Sequence, residues 1–145
     1  MHVLFVDNDE DDKELFVEAF NSIAPEVKIT TTAYVPDLFI KFEDLKYDLP
    51  DFIFLDVNME QKHGIDCLDE IKTIDWLNDI PVIMYSTSIQ PSQVESTFQK
   101  GASLYVQKPS GFEYMKSLFL KILSLPTEAY FPQADREHYL MRASK

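Results

Sequence analysis

Cysteine is almost missing from this 145-residue chain, where Cys67 stands alone. One thiol excludes an internal disulfide framework and suits a reducing compartment. Its setting, Ile65-Asp66-Cys67-Leu68 in a stretch of helical period, reads as a small core residue rather than a reactive one. Basic residues are scarce as well. Thirteen Lys and Arg against 25 Asp and Glu leave a net charge of -12. That balance gives no surplus for neutralising nucleic-acid phosphates and disfavours an anionic membrane surface. No uninterrupted apolar run approaches membrane-spanning length. The start Met1-His2-Val3-Leu4-Phe5-Val6-Asp7 lacks the basic segment and long apolar stretch of a signal peptide. Repeats, low-complexity tracts and flexible Gly/Ser linkers are also absent. These features set the expectation of a cytoplasmic protein with neither nucleic acid nor membrane as partner.

What is present is enough for one core. At 46% hydrophobic the chain fits a single compact domain and leaves no room for a second. Short apolar runs alternate with longer segments of helical period. Residues 3–6 read as a strand buried on both faces, because the run is continuous. Asp9 or Glu10 can cap the helix carrying Leu15, Phe16, Ala19, Phe20 and Ile23, and Pro25 ends it. Val27 to Thr31 reads as a second strand at an edge. After Pro36, residues Leu38, Phe39, Phe42 and Leu45 predict a second helix. Phe52 to Leu55 is the third strand, and a helix on Ile65, Leu68, Ile71 and Ile74 follows its loop.

Pro81 to Tyr85 is the fourth strand, closed by Ser86-Thr87-Ser88. A helix then begins at Pro91 with Val94 and Phe98 inward, and Gly101 suits its C-terminal cap. Leu104 to Gln107 is the fifth strand. Phe112, Met115, Leu118, Phe119 and Ile122 mark a fifth helix, stopped by Pro126. The pattern is (βα) five times over, an α/β domain with helices on both faces of a parallel sheet. The domain is expected over residues 1–124. Residues 125–145 are a tail in which Ala134 to Met141 predicts a short helix packed on the domain through Tyr139 and Leu140.

Chemistry concentrates where the apolar runs stop. The first ends at Asp7-Asn8-Asp9, the third at Asp56, the fourth at Ser86 and the fifth at Lys108-Pro109. In an open parallel sheet those ends share one edge, which is where such sheets place their sites. Clustered carboxyl groups resist full ionisation unless a cation joins them. Oxygen ligands on a partly hydrated site fit Mg²⁺, and Lys108 and Ser86 add a point charge and a hydroxyl donor for a phosphoryl group. Each residue alone has an ordinary use: aspartates cap helices, serines end strands and lysines lie along apolar surface. The conjunction at four strand ends is what points to phosphoryl chemistry.

The same pieces resemble the receiver domain of two-component response regulators over about residues 2–123. They are Val6-Asp7-Asn8, Phe54-Leu55-Asp56-Val57-Asn58-Met59 with Gly64, Pro81-Val82-Ile83-Met84-Tyr85-Ser86, and Gly101-Ala102-Ser103-Leu104-Tyr105-Val106-Gln107-Lys108-Pro109. The resemblance implies a flavodoxin-like three-layer sandwich with a five-stranded sheet of order 2-1-3-4-5. It makes Asp56 the phosphoacceptor, Ser86 the switch hydroxyl, Lys108 the phosphate-contacting cation and Tyr105 the aromatic that moves with the switch. From position alone, Tyr105 is an ordinary strand aromatic.

By the same resemblance, Asp7, Asn8, Asp56 and the backbone carbonyl of Asn58 hold Mg²⁺. Asn8 departs from the pattern, since an acidic residue usually stands there; it offers an amide oxygen without the charge. Asp9 follows it in the chain. Glu60 departs too, replacing a common proline in the loop that carries His63, a solvent-exposed residue. The side chains of Asn58 and Ser88 are implied to influence phosphate hydrolysis. The expected function is a single-domain, non-enzymatic response regulator. It would take a phosphoryl group from a histidine kinase or a histidine phosphotransfer protein and signal to a downstream protein. The readout face would be the fourth helix, fifth strand and fifth helix, and a homodimer would use that face or the tail. Two rivals stand beside this. One is a haloacid-dehalogenase-like phosphatase with Asp7 as nucleophile and Asp9 as acid/base, which lacks a downstream acidic metal pair and leaves Asp56 idle. The other is a degenerate receiver that is not phosphorylated.

Overall fold

The structure, a computed structural model, describes residues 1–33, 45–57 and 64–143. Its strands are β1 (His2–Val6), β2 (Lys28–Thr32), β3 (Phe52–Asp56), β4 (Val82–Ser86), β5 (Leu104–Gln107) and β6 (Leu140–Met141). The helices are α1 (Glu10–Ile23), α2 (Gly64–Lys72), α3 (Pro91–Gln99), α4 (Phe112–Ser124) and α5 (Arg136–Tyr139). The helix expected from Leu38, Phe39 and Phe42 lies outside the described residues; Leu45, at its end, is buried.

The sheet runs in the order β2-β1-β3-β4-β5-β6 and is parallel throughout. β1, β3 and β4 are buried along their whole length, as their unbroken apolar runs require. β2 at the edge alternates less cleanly and stays partly exposed. Asp9 caps α1 by accepting from the Asp12 amide at 3.0 Å, and Pro91 opens α3 where its missing N–H costs nothing. Gly101 follows α3 at φ +91°, a conformation that favours glycine.

An aromatic cluster joins the sheet to the α1–α4 layer. Phe16 stacks on Phe5 at 4.1 Å and Phe119 stacks on Phe20 at 4.3 Å, with Phe54 and Tyr85 completing the group. Full burial of such a ring stabilises the fold by about 1.5–3 kcal/mol. The cluster fixes α1, and with it the loop between β1 and α1, against the ends of β3 and β4.

The expected order β2-β1-β3-β4-β5 is present, and the far edge adds to it. The five-stranded sheet becomes six-stranded, because Leu140 and Met141 pair with Tyr105 and Val106. The tail helix predicted over 134–141 shortens to Arg136–Tyr139. The physical reason is that β5 would otherwise end the sheet with open backbone groups, and the returning chain satisfies them.

Candidate functional site

The strand order reverses direction between β1 and β3, and the crevice beyond their C-terminal ends holds the acidic groups. Asp7 follows β1, its amide donating to the Thr32 carbonyl at 2.9 Å. Its Oδ1 accepts from the Asp9 amide at 3.1 Å. Asp56 is the last residue of β3, and Ser86 the last of β4. Lys108 follows β5 and is tied to the β4 end by its amide, which donates to the Ser86 carbonyl at 2.8 Å. A concave site of about 280 Å³ is lined by these four together with Asn8, Asp9, Asp12 and Thr87.

The Lys108 ammonium lies 2.9 Å from Asp12 Oδ2, 3.4 Å from Asp56 Oδ2 and 3.9 Å from Asp7 Oδ2. Its nitrogen sits over the Tyr85 ring, 5.2 Å from the ring centre. Asp7, Asp56 and Ser86 are all buried. Burial pushes the Asp7 carboxyl up to about 7; the Asp9 amide opposes the shift and the nearby Asp56 charge adds to it. Burial alone would pull the Lys108 pKa down, yet Asp56, Asp12 and Asp7 hold it above the ordinary lysine value. One ammonium therefore faces three carboxylates.

Asp7, Asp12 and Asp56 each bring an oxygen within 4.8 Å of the others. Asp7 Oδ2 is buried and finds no hydrogen-bond donor among the described residues. Hard oxygen donors, excess negative charge and an orphaned carboxylate oxygen fit a divalent cation. Asp12 is the member that reasoning from sequence missed. Its signal was the cap: with Asp9 as N-cap, Asp12 falls in the first turn of α1 on the side of the crevice. Asn8 lines the site and is half-buried. Asn58, Glu60 and His63 lie outside the described residues.

Tyr105 is fully buried and its hydroxyl donates to the Ser88 carbonyl at 2.6 Å. Ser86 Oγ accepts from the Ser88 amide at 3.1 Å, and Ser88 Oγ meets Gln93. Gly64 opens α2 directly against the end of β3. A Cβ there would stand 2.1 Å from the Asp56 carbonyl oxygen, so only glycine lets the helix approach this closely.

Fold and crevice together define a receiver. Residues 3–119 match the response regulator receiver domain family, and the chain belongs to that family. The chemotaxis protein CheY of Pseudomonas aeruginosa is 32% identical over 72 residues. That match covers 50% of this chain and 58% of the relative, so the chain spans little more than half the length of that curated relative. Among solved structures, the phosphorylated cyanobacterial phytochrome response regulator RcpA superposes with a TM-score of 0.69 at 24% identity, covering 90% of this chain and 93% of that one. The Mn²⁺-bound form of response regulator Rcp1 gives 0.64 at 23% identity, covering 86% and 98%. At these identities the structures speak for the fold. No described helix is long and apolar enough to cross a membrane.

Proposed function

We propose that Asp56 accepts a phosphoryl group from a phosphohistidine on a histidine kinase or a phosphotransfer protein, and that the chain signals onward by protein contact. The observation that carries this reading is the convergence of Lys108 on Asp56 at 3.4 Å within a buried carboxylate cluster. An Asp56 oxygen attacks phosphorus, the P–N bond breaks, and the imidazole nitrogen keeps the electron pair and takes a proton. The product is an acyl phosphate on Asp56. Lys108 is close enough to shift from Asp12 and Asp56 to a phosphoryl oxygen, and Ser86 offers a hydroxyl donor from the adjoining strand end.

Asp7, Asp12 and Asp56 would hold Mg²⁺, with the Asn8 amide oxygen and, by resemblance, the Asn58 carbonyl beside them. When bound, Mg²⁺ supplies charge neutralisation between the carboxylates and the phosphoryl oxygens. The reading is that of a signalling protein. The phosphatase alternative needs Asp9 as acid/base, and Asp9 instead serves α1 as its cap. Asn8 favours the degenerate receiver as a second reading, since it removes a charge from the metal site.

Incubation with acetyl phosphate and Mg²⁺ tests the three. Label on the wild type and none on Asp56→Asn supports the acceptor reading. No label on either supports the degenerate receiver. Turnover that needs Asp7 but not Asp56 supports the phosphatase.

A further inference from the structure

The chain beyond α4 turns back across the outer edge of β5 and is held there by specific bonds. Ala134 N donates to the Ser103 carbonyl at 3.0 Å, and Ser103 Oγ donates to the Pro132 carbonyl at 3.1 Å. Gln133 Nε2 donates to the carbonyls of Phe98 and Ala102 at 2.6 and 2.9 Å, satisfying the C-terminal end of α3. Arg136 stacks over Phe98 at 4.4 Å and pairs with Glu95 at 2.7 Å. Ala143 N donates to Gln107 Oε1 at 2.9 Å.

Tyr139 is the centre of this contact. It is 2% exposed, lies edge-on to Phe98 at 5.0 Å, and donates to the buried Thr97 hydroxyl at 2.8 Å. On its other side it meets the Tyr105 ring at 6.5 Å. The tail and β6 thus cover the strip between α3 and α4 where β5 would offer its edge. An open strand edge is a standard place for a partner to add a strand, and here the chain adds its own.

Tyr105 links this cover to the crevice. Its hydroxyl holds the Ser88 carbonyl, and the Ser88 amide holds Ser86 Oγ. A Tyr105 ring swung outward would enter the space taken by Tyr139 and β6. The docked tail therefore requires the ring to be buried. A Ser86 hydroxyl drawn toward a phosphoryl group on Asp56 pulls the 86–88 segment, and the Tyr105 hydroxyl with it, in the same inward direction.

We propose that residues 133–143 are a built-in occupant of the α3–β5–α4 face, and that their docking and phosphoryl occupancy of Asp56 strengthen each other through Tyr105. An outside protein adding a strand to β5 must displace this segment first. The inference rests on Asp56 as acceptor for its coupling, and linkage makes that coupling reciprocal.

Hydrogen exchange on the full chain, with and without Mg²⁺ and beryllofluoride as the phosphoryl mimic, tests it, with ¹⁹F NMR reporting bound fluoride. Amides over 134–143 should exchange about fivefold or more slowly once the mimic is bound. Tyr139→Ala should release the 140–143 amides and weaken beryllofluoride binding by a similar factor. Arg136→Glu, an exposed change that spares the core, should act in the same direction. Bound fluoride with tail exchange unchanged or faster overturns the inference alone, as does a released tail with unaltered affinity. No bound fluoride in the wild type overturns both the inference and the acceptor reading.

Discussion

Lys108 lies closer to Asp12 than to Asp56, with its ammonium at 2.9 Å from the former and 3.4 Å from the latter. Asp12 thus competes for the Lys108 ammonium, the one cation lining the crevice among the described residues. At saturating Mg²⁺, Asp12→Asn should free Lys108 and tighten beryllofluoride binding by a few-fold, on the order of 1 kcal/mol. A fluoride titration that shows weaker binding would mean that losing Asp12 as a Mg²⁺ ligand outweighs the freed ammonium.

Removing the ammonium has the opposite character. Lys108→Met leaves Asp7 and Asp56 buried without their shared counter-charge. Breaking a buried pair in this way is strongly destabilising, by about 3 kcal/mol when the remaining charge cannot relax. Chelator-treated Lys108→Met should show a large drop in urea midpoint at pH 8, and added Mg²⁺ should restore much of it. A midpoint equal to wild type in chelator would contradict the arrangement of charges described here.

Asp7 sets a pH dependence. Its folded pKa is raised from 3.8 to about 7 by burial and by Asp56. The folded state therefore holds a proton that the unfolded state has lost across that interval, and stability contributed by this site falls as pH rises from about 4 to about 7. Without Mg²⁺, Asp7→Asn should raise the melting temperature at pH 8. The gain should shrink as pH falls through 7 and vanish near 4. The full shift, which already includes the opposing pull of Lys108, sets a ceiling on the order of 4 kcal/mol. A gain that is flat across this range would remove Asp7 as its source.

Much of this arrangement was legible in the residues. The unbroken apolar runs at 3–6, 52–55 and 81–85 could only be strands covered on both faces, and their ends had to share an edge. Those shared ends gather Asp7, Asp56, Ser86 and Lys108 from the order of the residues alone. Asp12 escaped because an acidic run at a helix start usually faces solvent; only the phase set by the Asp9 cap turns it toward the crevice. The sixth strand escaped for a different reason. Two residues have no periodicity, and Leu140-Met141 becomes a strand only because β5 lies beside it.

Tyr85 carries a further expectation. It is 2% exposed, and its hydroxyl has no hydrogen-bond partner among the described residues. Burial, then the charges of Asp12, Asp56 and Asp7, push its pKa up, so the group stays neutral. An unsatisfied buried hydroxyl costs about 1–3 kcal/mol. Tyr85→Phe should be neutral or stabilising while keeping the ring under Lys108. A loss of more than about 1 kcal/mol in a denaturant melt would reveal a bound water or another acceptor at the hydroxyl.

Gly64 gives the end of β3 a mechanical property. With its α-carbon pressed on the Asp56 peptide and its amide bonded to the Val57 carbonyl at 2.7 Å, the start of α2 has no slack relative to the end of β3. Any settling of the Asp56 backbone must carry the first turn of that helix along as a rigid lever. The α2 side of the sheet would then register what happens in the crevice through the backbone itself.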